Sequence, residues 1–194
     1  MYSSYNIKKQ RMIRGELPLS ETAEELFVYG YQLDESGAHD HAEMIYRDVV
    51  NALEEVYQQR GEHVRADELA NCAFVHGKNL YTLGRKRQAR ASFRHAVDKL
   101  ESSLTNGVTS EIIRLYATSL RWLALAQFQT GDRKKGEQTF KKSIAVYRGL
   151  MMFGKDGAQR EEAKRALRSI ARIYTKLGIK HPEQPYQAPK QRLQ

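Results

Sequence analysis

Apolar residues in this chain recur at intervals of three and four, and the runs they form come in pairs. Leu167, Ile170, Ala171 and Tyr174 make one such face; Ala89, Phe93, Ala96, Val97 and Leu100 make another. That spacing marks an amphipathic helix, which buries one apolar stripe and leaves the rest polar. Between paired runs stands a glycine, as in "DESGAHDHAEM", "YTLGRKRQARASF", "FQTGDRKKGEQTF" and "YTKLGIK". A glycine just past the last apolar position ends a helix in a left-handed conformation and opens a tight turn. The pattern therefore predicts helix–turn–helix units. No proline interrupts Ser20 to Lys180, as a nearly all-helical body requires.

The units repeat. Gly37, Gly84, Gly131 and Gly178 are each 47 residues apart. Seven residues before them stand the small residues Gly30, Gly77, Ala124 and Ala171; five after the first three stand Ala42, Ala89 and Gly136. Four further on lie Tyr46, Phe93 and Phe140. Small residues let two helices approach, and the aromatic fills the space between them. The chain after Gly178 carries Pro182, Pro185 and Pro189, so the fourth unit stops after one helix. The expected organisation is a basic N-terminal tail at 1–19, a helical repeat domain at 20–180 and a Pro/Gln-rich tail at 181–194. Units are expected near 20–60, 62–104, 109–152 and 158–178.

The columns Ala73, Gly77, Leu80, Gly84, Ala89, Phe93 and Ala96 resemble the tetratricopeptide repeat. The period of 47 exceeds the usual ~34 by about 13 residues. In this respect the chain is similar to long-helix repeats of the kinesin light chain kind. The resemblance implies an all-α fold, a right-handed α-solenoid of about 3.5 tetratricopeptide-like units and about seven helices. It also implies a concave surface lined by the first helix of each unit, where ligands lie. The inward positions would be Glu24, Phe27 and Tyr31; Asn71, Phe74, Lys78 and Tyr81; Arg121, Leu125 and Phe128; and Arg165, Arg168, Arg172 and Lys176. The chaperone-type carboxylate clamp of that family is not implied, because its Lys and Asn positions read Phe27 and Tyr31 here.

Charge sharpens this picture. The net charge of +9 is uneven: +3 over 1–19, −9 over 20–56, +4 over 57–103, +5 over 104–150 and +6 over 151–194. Such asymmetry concerns partners rather than fold. Arg165, Arg168, Arg172 and Lys176 put four cations on one helix stripe, a self-repelling arrangement unless something anionic faces it. The alternative is a solvated stripe whose arginines pair with Glu161 and Glu162. A second basic set comprises Arg85, Lys86, Arg87, Arg90, Arg133, Lys134 and Lys135 on the second helices. It reads either as a solvated face or as a ridge for the nucleic-acid backbone, although no aromatic is interleaved for base stacking.

Catalytic signals are sparse. "HDHAE" at His39 to Glu43 carries two histidines that do not share a helix face, and reads as turn and surface. There is no phosphate loop or nucleophile elbow. Cys72 is the only cysteine, so neither an internal disulfide nor a cysteine-based zinc site is expected. Neither a secretory signal nor a membrane span is expected. The expectation is a cytoplasmic, non-enzymatic protein without cofactor or metal. The expected partner is a protein or peptide, acidic ones included, with head-to-tail self-association and nucleic acid as alternatives.

Overall fold

A computed structural model describes residues 19–60, 66–104, 108–154 and 156–179, with residues 7, 10, 11, 14 and 16. Both expected tails lie essentially outside the described residues. Among the described residues from 19 to 179, seven α-helices follow one another: α1 (Leu19–Glu35), α2 (His39–Arg60), α3 (Ala66–Thr82), α4 (Lys86–Ser103), α5 (Ser110–Gln129), α6 (Arg133–Phe153) and α7 (Gly157–Lys176). There is no strand among the described residues. Consecutive helices pack against each other, and α3 also touches α5. The described residues form an α-solenoid of three helix pairs followed by a single helix.

The repeated glycines form four equivalent helix ends. Gly37, Gly84, Gly131 and Gly178 have φ of 81°, 76°, 89° and 63°. At each, the residue after the glycine donates its N–H five residues back: Ala38 to Leu33, Arg85 to Leu80, Asp132 to Gln127 and Ile179 to Tyr174, at 2.9–3.0 Å. The glycine itself donates three residues back. This paired bonding satisfies carbonyls that the helix end would leave orphaned. The long period goes into helix length, with helices of 17 to 22 residues.

Close approach explains the small residues. A Cβ on Gly77 would stand 2.7 Å from the Phe93 ring, and one on Gly30 would stand 2.9 Å from Tyr46. In the third pair the roles are exchanged: Gly136 on α6 makes room for Phe128 on α5, at 2.6 Å. Tyr46, Phe93 and Phe140 are fully buried. Each covers a ring of the first helix in its own pair: Phe27 at 5.4 Å, Phe74 at 5.9 Å and Phe128 at 5.7 Å between centroids.

Two helix starts carry caps. Thr109 accepts from the Ile112 N–H at 3.3 Å, and Asp156 accepts from the Gln159 N–H at 2.7 Å. Each side chain satisfies an N–H that the first turn cannot.

Candidate functional site

Contacts at about one period of sequence separation set neighbouring units side by side. Asn79 on α3 donates to Asp34 on α1 at 2.8 Å and to the His39 carbonyl at 3.2 Å. Lys99 on α4 reaches Glu54 on α2 at 3.0 Å. Tyr81 on α3 meets Trp122 on α5 edge-on at 5.2 Å. Arg114 on α5 pairs with Glu162 on α7 at 3.3 Å. First helices thus lie beside first helices, and the inward positions expected from the sequence can be followed from α1 to α7.

That surface is not uniform. Tyr31 is 54% exposed, and Phe27 is half-buried against Tyr46. Asn71 and Lys78 are exposed. Phe74 and Phe128, expected on the docking surface, lie in the core at 9% and 8% exposure. The aromatic from the second helix draws each of them inward, so they hold the pairs together. Tyr81 is half-buried and committed to Trp122, with the Lys86 ammonium 3.3 Å above its ring. Arg121 is half-buried, and Arg165, Arg168 and Arg172 are exposed.

The α7 arginines do not pair with the neighbouring glutamates. Glu161 takes Lys164, at 2.5 Å, and Glu162 takes Arg114. Among the described residues no carboxylate lies within 4 Å of Arg121, Arg165, Arg168, Arg172 or Lys176. Four cations without a carboxylate within 4 Å therefore line one stripe of α7, and Arg165 and Arg168 feel Glu161 only at longer range.

The second basic set behaves differently. Arg85 pairs with Asp40 at 2.8 Å and with Glu43 at 3.4 Å, both on α2. Arg90 donates to Thr130 at 3.1 Å and to Asp132 at 2.9 Å, at the α5–α6 turn. Lys86 donates to the Tyr81 carbonyl at 2.6 Å, and desolvation there lowers its pKa. Lys135 pairs with Asp132 at 3.6 Å. Of the seven, Arg87, Arg133 and Lys134 stay exposed without a carboxylate partner among the described residues. Two members of the ridge, Arg85 and Arg90, staple one unit to the next, while Lys86 and Lys135 bond within their own turns.

Sequence reasoning missed the centre of that stapling. Glu43 and His76 are buried at 5% and 8% exposure. Glu43 receives Arg47 at 3.3 Å from its own helix and His76 Nε2 at 3.2 Å from α3. With the ring neutral, Nε2 donates to Glu43 and Nδ1 accepts from Ser92, 3.5 Å away on α4. Burial lowers the His76 pKa, and Arg47 adds to the effect, against the raising influence of Glu43. His95 on α4 sits 3.3 Å from Glu54 and is likewise lowered, chiefly by burial. His39, expected at the surface, is half-buried and bonds Asp34 at 2.6 Å. A search for opposite charges 45 residues apart, two short of the period, would have found Asp40 with Arg85 and Glu54 with Lys99.

The remaining chemistry is modest. Burial pushes the Cys72 thiol up to about 12, which keeps it from acting as a thiolate. A cavity of about 160 Å³ opens between α5, α6 and α7, lined by Arg114, Tyr147, Leu150, Gln159, Glu162 and Ala163 among others. Among the described residues no group of three or more His, Cys, Asp and Glu is placed to hold a metal ion. No described helix is long and apolar enough to cross a membrane. Compared with known protein families and with curated proteins, the chain matches none.

Proposed function

We propose that this chain is a non-enzymatic protein–protein interaction module of tetratricopeptide type, an adaptor or peptide-binding scaffold. It holds a partner protein or peptide along the stripe of its first helices. The observation that carries this reading is an asymmetry of compensation. Arg85, Lys86, Arg90 and Lys135 are all engaged within the protein, whereas Arg121, Arg165, Arg168 and Arg172 have no carboxylate within 4 Å among the described residues. A self-repelling stripe with an exposed head group at each step suits an anionic partner.

Phe27 and Tyr31 supply apolar contact at the other end of the stripe, with Asn71 and Lys78 between. Specificity would come from the separation between those rings and the α7 arginines, and orientation from charge. A chain whose one thiol is buried suits a reducing compartment such as the cytoplasm. The nucleic-acid alternative loses much of its support, because four of its seven cations are already partnered.

The test is capture of the partner from source cells by the full chain, with and without nuclease. Its control is a variant carrying Arg165→Glu, Arg168→Glu and Arg172→Glu. A protein retained after nuclease and lost with the variant is the expected result. Material that vanishes with nuclease, and survives the triple substitution, overturns the reading.

A further inference from the structure

The two ends of the array carry the same repeat columns with opposite chemistry. On α7 the stripe reads Arg165, Arg168, Arg172 and Lys176. One array-length earlier, on α1, the equivalent positions read Glu24, Phe27, Tyr31 and Glu35. Both stripes step by three, four and four residues. Glu24, Tyr31 and Glu35 are exposed, as are all four cations of α7, while Phe27 is half-buried. Among the described residues Glu24 and Glu35 have no cation within 4 Å, just as the α7 stripe has no carboxylate.

We propose that the α1 stripe of one copy docks on the α7 stripe of a second copy of this chain. The inference rests on the reading of the first-helix face as a docking surface, and names one occupant of it. Carboxylates stand at both ends of the α1 stripe, and aromatic rings stand between them. Set along α7, in either direction, this places a glutamate near each terminal cation. Phe27 and Tyr31 then face the middle guanidiniums, an arrangement that adds cation–π attraction. Pairing α7 with α7 would set four cations against four. The two stripes of one chain do not meet, because helices pack in sequence and α1 and α7 bound opposite ends of the array.

Geometry then favours a closed pair. Two arrays running antiparallel about a two-fold axis bring α1 against α7 twice. Such an isologous contact stops at two copies, whereas a head-to-tail contact continues unless it closes a ring. The stripes are solvent-exposed, so salt screens them. A partner binding the same face would compete with the pair.

The experiment is sedimentation velocity of the full chain over a concentration series, at about 50 mM and about 500 mM salt. It is repeated for Glu24→Lys/Glu35→Lys, for Arg165→Glu/Lys176→Glu and for their equimolar mixture. Circular dichroism checks that each variant keeps its helices. The expected result is a salt-sensitive dimer, roughly tenfold weaker at the higher salt. Each variant alone should be monomeric, and the mixture should restore a one-to-one dimer, because both contacts become complementary again. A wild-type monomer at low salt overturns the proposal, as does a mixture that fails to associate. Species that keep growing with concentration overturn the closed arrangement. If the chain is monomeric yet still captures a partner through Arg165, Arg168 and Arg172, self-pairing fails alone. If that capture fails too, the docking-face reading falls with it.

Discussion

Two basic segments of this protein look alike in sequence and differ in what faces them. In the α4 segment, Arg85 crosses to Asp40 and Glu43 on one side, and Arg90 crosses to Asp132 and Thr130 on the other. The same kind of residue, placed on α7 as Arg165, Arg168 and Arg172, meets no carboxylate. The first segment sits between units, where Arg85 and Arg90 each find an acidic group about one period away. The second sits on α7, the last of the described helices. Charge density alone therefore does not distinguish a staple from a docking stripe; position in the array does.

The largest effect should come from the packing beneath the staples. Gly77→Leu forces a side chain into the Phe93 ring and should destabilise by roughly 1–3 kcal/mol. An unchanged melting temperature would show that the α3–α4 contact is not as close as the 2.7 Å approach implies. Next comes Glu43→Ala, which strips His76, Arg47 and Arg85 of a shared buried acceptor and should cost about 2 kcal/mol. Urea titration measures it, and a cost under half of that would mean the staple is held by Asp40 alone.

The same seam should be acid-sensitive. The pKa values of His76 and His95 are lowered in the folded chain, so the unfolded chain binds more protons as pH falls below about 6.5. Stability is then lost as pH drops through the ordinary histidine range toward the depressed folded values. Glu54, whose pKa is lowered by Lys99 and Gln58 despite burial, removes further stability only below about 4.5. Thermal melts at pH 7.5 and at about pH 5.5 should show a lower midpoint at the acidic value, with a smaller difference in His76→Gln. Equal midpoints would sink the account.

The smallest effects make the most direct comparison. Arg85→Ala should cost about 0.5–1 kcal/mol, as expected for a partly exposed ion pair. Arg168→Ala should cost nothing, or stabilise by a few tenths through relief of like-charge neighbours at Arg165 and Arg172. Paired denaturation curves separate the two, and a larger loss at Arg168 than at Arg85 would reverse the roles assigned to the segments.

The fold was legible because its signals are local. A glycine with positive φ, an apolar face of period 3.6 and a ring four residues past a small residue can all be read within one unit. Gly84 and Phe93 illustrate this, since each sits where its neighbours require. The docking surface was only partly legible, because exposure depends on what the second helix sends back. Phe27 and Phe74 share a column, yet Phe74 is buried and Phe27 only half-buried. The staples were least legible. Arg85 and Asp40 are 45 residues apart, and a reading of adjacent residues sees only a run of arginine and lysine. Glu43 and His76 gave no signal, since nothing in "HDHAE" marks one carboxylate as buried.

The chain has a single tryptophan. Trp122 lies 5.7 Å from Phe93 and 5.2 Å from Tyr81, at the junction of the second and third helix pairs. Its emission therefore samples that junction alone, while helical dichroism averages over the whole array. In an array whose units touch only their neighbours, the ends are free to melt before the middle. The two optical signals need not move together on heating, and the gap between them would measure how far fraying has travelled inward before the central junction opens.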